Sequence, residues 1–449
     1  MKQPYVTRLS YCALFAGSLL LTTGLSSLNP SLSSTANASL QDSPKLLLDE
    51  AWQIVNREYV DLAFNQIDWE AVRHDLLDRT YGSREEAYNA LRAALEQLND
   101  PYTRFMDPEQ YEQLTRQTSG ELSGIGLRLQ LEQETGKLVV VEPIPNSPAA
   151  AAGIRSGDYI LEIDGQSTEG MTVEAASTLI RGEVGTRVTL RIDRNGEEIL
   201  NLPLTRARIE LPTVRHALRQ ENGTDIGYIR LGEFSSHAAE QMQHAIEQLE
   251  DQGAEAFVLD LRGNPGGLLY ASIDISRMWI ENGSIVRTVD RIGASEEIRA
   301  NQTALTNLPL AVLVDGNSAS SSEILTGALM DNHRATVVGS QTFGKALVQS
   351  VHSLSDGSGI AVTIAHYYTP NGTDISHLGL TPHVRIDLTQ AQQEELALNP
   401  SLVGTIADPQ YTGAIEVLQE TVLANQNETR AAQPSEVDRG HRSLNTLFR

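Results

Sequence analysis

Four serines stand within five positions in "NSASSSE" (residues 317–323), after the apolar run "LPLAVLVDG" and before "ILTGALMDN". A strand, a glycine-containing turn and a helix start form a setting that displays a nucleophile. Free N–H groups at the helix N-terminus favour developing negative charge there. The same residues also read as a cap, because Ser320 followed by Glu323 has capping-box spacing, and Ile324, Leu325, Ala328 and Leu329 supply a buried helix face. The usual proton acceptor would be histidine, and ten are present, but no GxSxG or HExxH pattern singles one out.

A second candidate base is Lys345, in "VVGSQTFGKALVQSVHSL", with Gln349 four positions later. At its reference pKa a lysine is neutral in only about four molecules per ten thousand at pH 7, so a basic role requires desolvation. Lowering its pKa to about 7.5 costs on the order of 4 kcal/mol, and Phe343, Leu347 and Val348 are apolar neighbours of the right kind. "GSQTFGKA" also follows a phosphate-loop pattern up to its last position, where Ala346 replaces the Ser or Thr that would hold magnesium. A solvated surface lysine is the remaining reading.

Acyl transfer also needs donors aimed at an oxyanion. "VLDLRGNPGGLLY" ends a buried strand at Arg262 and brings glycine amides to a helix start, although an ordinary strand-to-helix turn would need the same glycines.

The elements that must carry these groups fall into a multidomain α+β organisation. Residues 1–38 read as a cleavable leader, with Lys2 and Arg8 before an apolar stretch and "ANA" at its end, the other reading being an uncleaved membrane anchor. Its removal would leave a soluble exported protein with no stable membrane span. Residues 39–118 read as a helical N-terminal domain, and residues 119–205 as a compact, mostly strand domain with a hairpin at Asn195-Gly196. Residues 206–388 alternate strand and helix, as expected of an α/β core with a mixed sheet and crossover helices. Residues 389–449 read as a tail, partly helical and then disordered.

The net charge of −24 argues against a nucleic-acid partner. Removing the leader takes away two cations and no acid, so the remainder is more acidic still. The only cysteine, Cys12, lies in the leader, which leaves no disulfide, thiol nucleophile or cysteine metal site.

In order along the chain, "NDPYTRFMDPEQY", "SGIGL", "SPAAAAGIRSGDYILEIDG", "LDLRGNPGGLL", "NSASSSEILTGALMDN", "VVGSQTFGKALVQS" and "YYTPNG" resemble the carboxyl-terminal processing peptidases, or tail-specific proteases. The resemblance implies a serine endopeptidase with Ser320 as nucleophile, Lys345 as general base and Gln349 orienting the lysine. It also implies an oxyanion hole from Gly266 and the Ser321 N–H, with no metal or cofactor. Ser321 stands where relatives often have Ala, and Ala346 where Gly usually follows the lysine.

Residues 119–205 resemble a PDZ domain, whose carboxylate-binding loop would be Gly124, Ile125, Gly126 and Leu127. The family pattern suggests Arg181 as the residue that relays peptide occupancy to the core, and a salt bridge on a solvated face is the other reading. The implied partners are proteins or peptides with a free C-terminus, and the implied compartment is the periplasm or the thylakoid lumen. In photosynthetic relatives the substrate is the photosystem II reaction-centre precursor. The rival reading is a catalytically silent PDZ scaffold that binds C-termini without cutting them.

Overall fold

The computed structural model describes residues 43–196 and 198–432, with side chains described as far as residue 423. The expected leader, residues 1–38, and the end of the expected tail lie outside the described residues.

Three helices open the described chain: α1 (Pro44–Glu58), α2 (Trp69–Asp78) and α3 (Arg84–Glu96). Asp68 and Ser83 cap α2 and α3 by accepting N–H bonds from Ala71 and Glu86. Their apolar faces bury Leu48, Trp52, Val55, Trp69 and Leu91. This cluster is not independent of the rest, because Leu354, Ile360 and Val362, far along the chain, belong to the same core. A short strand, β1 (Arg104–Met106), follows, and then α4 (Pro108–Ser119), closed by Gly120 in the left-handed region at φ 67°.

The next unit is built on strands: β2 (Glu121–Gly124), β3 (Leu127–Leu131), β4 (Leu138–Pro143), α5 (Pro148–Ala151), β5 (Tyr159–Ile163), β6 (Gln166–Ser167), α6 (Val173–Ile180), β7 (Arg187–Arg194), β8 (Glu198–Thr205) and β9 (Ala207–Glu210). A sheet in the order β3-β4-β5-β7-β8 encloses its own core of Ile125, Val140, Ile160, Ala176 and Leu190. The hairpin β7–β8 turns at Asn195-Gly196, both at positive φ, as the dipeptide predicts. The entering strand β2 and the leaving strand β9 pair antiparallel with each other, so the unit hangs from a two-stranded stem and its edges lie beyond residue 205.

The remaining elements are β10 (Val214–Glu221), β11 (Thr224–Leu231), α7 (Ala238–Asp251), β12 (Ala256–Asp260), α8 (Leu269–Trp279), β13 (Ser284–Asp290), β14 (Ser295–Arg299), β15 (Leu310–Val314), α9 (Ser321–Asp331), β16 (Thr336–Gly339), β17 (Leu347–Ser353), β18 (Gly359–Tyr368), β19 (Val384–Arg385), α10 (Gln390–Leu398) and α11 (Pro409–Ala432). The main sheet runs β10-β11-β12-β15-β16-β19, with β10 antiparallel and the other pairings parallel. A second sheet runs β1-β18-β13-β14, with β17 also paired to β18. Through β1 the N-terminal part shares a sheet with the core.

Every residue of β12 and β15 is buried. Strands covered on both faces lose the alternation of polar and apolar residues, which is why both read as continuous apolar runs. Phe257, Leu259 and Val312 face the crossover helices α7, α8 and α9, within one cluster with Met242, Trp279 and Leu325. The opposite face, with Val258, Ala311 and Val338, is covered by Tyr411, Ala414, Ile415 and Leu418 of α11.

The segment after residue 388 is therefore a structural layer at least through Leu418, not a tail. Its buried residues recur at spacings of three and four. Burying each large side chain there contributes about 1.5 to 3 kcal/mol. The helical reading of part of the segment holds, while its average composition, rich in Gln, Asn and Glu, gives no sign that one face is buried.

Candidate active site

The turns after β12 and β15 emerge side by side at the carboxyl edge of the parallel sheet, where sites in such folds gather. The serine cluster joins them. Ser318 Oγ donates to Leu261 O at 2.8 Å, Ser322 Oγ to Asn264 O at 2.9 Å, and Ser321 Oγ to Gly267 O at 3.0 Å. Three of the four serines thus tie the serine turn to the segment "LRGNPGG", residues 261–267. Sequence reasoning gave Ser318 and Ser322 no role, because their partners lie more than fifty positions away.

Ser320 instead lines a cavity of about 240 Å³, together with Lys345, Gln349, Ser321, Gly267 and Tyr367. Its backbone sits at φ 53°, ψ −113°, outside the regions a residue with a Cβ ordinarily occupies. Such strain persists only where the surroundings hold it, and it concentrates at functional sites.

Part of what holds it is Glu323, which is fully buried. Glu323 Oε2 accepts the N–H groups of Ser320 and Lys345, both at 2.9 Å, while Oε1 accepts Gly344 N–H at 2.7 Å and Thr342 Oγ1–H at 2.6 Å. The capping partner of Ser320 therefore also fixes the lysine loop. Burial raises the Glu323 carboxyl above its ordinary pKa, against the lowering effect of these four donors. Tyr367 Oη adds a further link, donating to Ser320 O and to Lys345 O.

Lys345 has its pKa held below the ordinary lysine value, chiefly by burial and then by the charge of Arg104, with Asp100 and Glu323 opposing. The sequence suggested Phe343 as one of the groups that shield it. Phe343 is 54% exposed, because the loop turns it outward. From the N-terminal elements the Tyr102 ring approaches the lysine, with its centroid 4.5 Å from Nζ. Gln349 lines the same cavity, and its buried Nε2 has no hydrogen-bond partner. Among the described residues no hydrogen bond joins Lys345 Nζ to Gln349 or to Ser320 Oγ.

Gly266 stands directly against the serine turn. A Cβ there would lie 2.8 Å from Ala319 O and 3.0 Å from both Ser320 Cβ and Ser321 N. Its φ of 103° also demands glycine. Its N–H, expected at an oxyanion hole, here donates to Asn264 Oδ1 at 2.9 Å. Asn264, fully buried, also donates to Leu231 O and accepts from Ala319 N–H, so it braces the turn; sequence reasoning missed it. Beneath it, Arg262 forms charge-assisted bonds with Asp260 and with Asp408 at the start of α11.

In the strand-rich unit, Gly124 ends β2, paired with Ala207, and Ile125 is fully buried in the local core. Gly126 adopts φ 79° with Ser147 packed against it, and Leu127 begins β3. Arg181 is exposed and adjoins this loop, its Cα 3.9 Å from where a Cβ on Gly124 would lie.

The strand-rich unit on its stem and the α/β core, with a serine turn and a desolvated lysine at one cavity, match the domains of a serine-type endopeptidase. Residues 225–386 match peptidase family S41, and residues 139–194 match the PDZ domain. The carboxyl-terminal-processing protease of Synechocystis sp. is 43% identical over 389 residues, covering 86% of this chain and 90% of that protein. The chloroplastic carboxyl-terminal-processing peptidase 3 of Arabidopsis thaliana is 38% identical, covering 75% of this chain and 68% of that one. Among solved structures, a photosystem II D1 C-terminal processing protease is 36% identical with a TM-score of 0.52, covering 82% of this chain and 99% of that one. The chain belongs to the carboxyl-terminal-processing proteases.

Proposed function

We propose that this endopeptidase recognises the free C-terminus of a protein substrate through its PDZ domain and cleaves upstream by an acyl-enzyme mechanism. Ser320 Oγ attacks the scissile carbonyl carbon while Lys345 Nζ takes its proton. The ammonium then protonates the leaving amine, and the lysine activates the water that hydrolyses the ester. Gln349 orients the lysine. The Ser321 N–H stabilises the oxyanion, joined by Gly266 once its N–H exchanges Asn264 for the substrate oxygen.

In the PDZ domain, the amides of Gly124, Ile125, Gly126 and Leu127 receive the terminal carboxylate. Arg181, exposed beside that loop, relays its occupancy. The observation that carries this reading is that one buried side chain, the Glu323 carboxylate, fixes the backbones of both Ser320 and Lys345 at the wall of one cavity.

The cyanobacterial and chloroplastic relatives support a periplasmic or thylakoid-lumen setting and a photosystem II reaction-centre precursor as a substrate. No helix among the described residues is long and apolar enough to cross a membrane.

The test is incubation with a peptide ending in a small or apolar residue with a free carboxylate, read by mass spectrometry. Cleavage is expected in wild type and absent in Ser320→Ala and Lys345→Ala. Cleavage surviving in both variants would overturn the assignment, and binding without cleavage by wild type would leave a PDZ scaffold. An amidated C-terminus is expected to slow cleavage.

A further inference from the structure

The segment "NDPYTRF", residues 99–105, brings Asp100, Tyr102 and Arg104 close to Lys345. Its backbone is held firmly: Asp100 accepts the Tyr102 N–H at 2.9 Å and the Thr103 hydroxyl at 2.7 Å, and Thr103 Oγ1 accepts the Thr363 N–H of β18 at 3.0 Å. These bonds anchor the segment to the sheet that supplies Tyr367 to the cavity. They present the Tyr102 ring to Lys345, with Nζ 4.5 Å from the ring centroid.

A cation at that separation from an aromatic centroid is attracted by the ring quadrupole, and more strongly when shielded from water. A neutral amine has no such attraction. The ring therefore discriminates between the two protonation states of the base. In the cavity that Lys345 lines, Gln349 Nε2 is buried without a partner, and no hydrogen bond joins the lysine to Gln349 or Ser320 Oγ among the described residues.

We propose that Tyr102 is a positioning residue for Lys345: its ring seats the protonated ammonium apart from Ser320, and the side chain leaves the ring when it gives up its proton. The inference rests on the reading of Lys345 as the base. The other charged or titratable groups around the lysine are Arg104 of β1, Asp100, Glu323 of α9 and Tyr367 of β18. Of these only Tyr367 carries a ring, and it meets the lysine through its hydroxyl on the backbone oxygen, whereas the ring over Nζ is that of Tyr102. The N-terminal elements thereby hold one of the two protonation states of a base carried by the core.

The chain has only four lysines, Lys2, Lys45, Lys137 and Lys345, so the side chain can be titrated directly by NMR of protein labelled with 13C at lysine Cε. Lys345→Met assigns its signal. Removing the ring in Tyr102→Leu is expected to lower the Lys345 pKa by about half to one unit. Tyr102→Phe, which keeps the ring, should restore the wild-type titration. In parallel, kcat/KM on the acidic side of the pH profile should rise about three- to tenfold in Tyr102→Leu.

Substituting 4-fluoro- and then 3,4,5-trifluorophenylalanine at position 102 weakens the ring potential at nearly constant size. It should lower the pKa stepwise, and this series decides the matter if Tyr102→Leu does not fold. An unchanged Lys345 titration in folded Tyr102→Leu, or a flat fluorinated series, would overturn the proposal. Failure of the underlying reading shows separately, as cleavage that persists in Lys345→Ala.

Discussion

The carboxylate of Glu323, in the first turn of the helix after Ser320, accepts the backbone N–H of Lys345 at 2.9 Å across 22 positions of sequence. The same oxygen accepts the Ser320 N–H, so one buried group sets the spacing between the candidate nucleophile and base backbones. In Glu323→Gln an amide NH2 would replace one acceptor and face N–H donors. Leaving such buried donors unpaired costs about 1 to 3 kcal/mol each. We expect kcat/KM to fall by about two orders of magnitude, from misplacement of the reacting groups. Thermal unfolding and peptide cleavage measured together check it; a variant with wild-type cleavage would show that the clamp is dispensable.

Lys345 should govern the acidic limb of the pH profile. Burial and Arg104 hold its pKa below the ordinary lysine value, so the neutral base is populated at lower pH than for a solvated lysine at about 10.4. Activity should rise with pH along that limb and level off as the lysine deprotonates. Lys345→Arg retains a charge that does not leave in this pH range, and should abolish cleavage throughout. A limb at an unperturbed lysine value would refute the desolvation argument.

The buried ion pairs beneath the oxyanion turn make α11 part of the core. Arg262 bonds Asp408 at 2.7 Å, with the Arg262 side chain 8% exposed and that of Asp408 0%. Asp408→Ala leaves that cation without one of its two carboxylate partners, and losses of this kind cost about 3 to 5 kcal/mol. Denaturant titration should register the loss, and a chain cut after Gly404 should fail to unfold cooperatively.

The same network has a pH signature. Burial alone would raise the Asp260 carboxyl, but the charge and hydrogen bonds of Arg262 outweigh it and hold the pKa below the ordinary carboxylate value. A folded value below the unfolded one gives stability that is present above about pH 4 and lost as pH falls further. Comparing acid unfolding of wild type and Asp260→Asn measures that contribution. Equal acid sensitivity of the two would argue against it.

In the PDZ domain, Gly126→Ala is expected to disturb the loop proposed to hold a carboxylate. Gly126 sits at φ 79°, and an added Cβ would lie 2.3 Å from Ser147 Cβ, which has no flexible end to move aside. Positive-φ strain of this kind costs on the order of 1 to 3 kcal/mol. Calorimetry with a peptide bearing a free C-terminus should show weakened binding; unchanged affinity would remove the loop from the binding site.

Much of the arrangement was legible in the chain itself, because the signals are local. The strand, turn and helix around Ser320, the glycine turn at 263–267 and the Asn195-Gly196 hairpin each follow from neighbouring residue types. The ordered motifs pointed to the family, and with it to Ser320, Lys345 and Gln349. What was missed depended on distant partners or on a periodic stripe diluted by polar composition. Ser318, Ser322 and Asn264 matter through carbonyls on another turn, and Glu323 looked like a cap until Lys345 folded against its far side. The segment that carries Tyr411, Ala414, Ile415 and Leu418 reads as partly helical, but nothing local tells that this face covers the sheet.

The sequence by itself determined the local chemistry: which turns could display a hydroxyl, where glycine was obligatory, and which runs were apolar enough to be sheet. Tertiary structure alone decided what surrounds those groups, because desolvation, strain and hydrogen-bond satisfaction depend on residues brought together from far along the chain. It turned Phe343 outward, brought Tyr102 to the lysine, committed the Gly266 N–H to Asn264 and covered the second face of the sheet with α11.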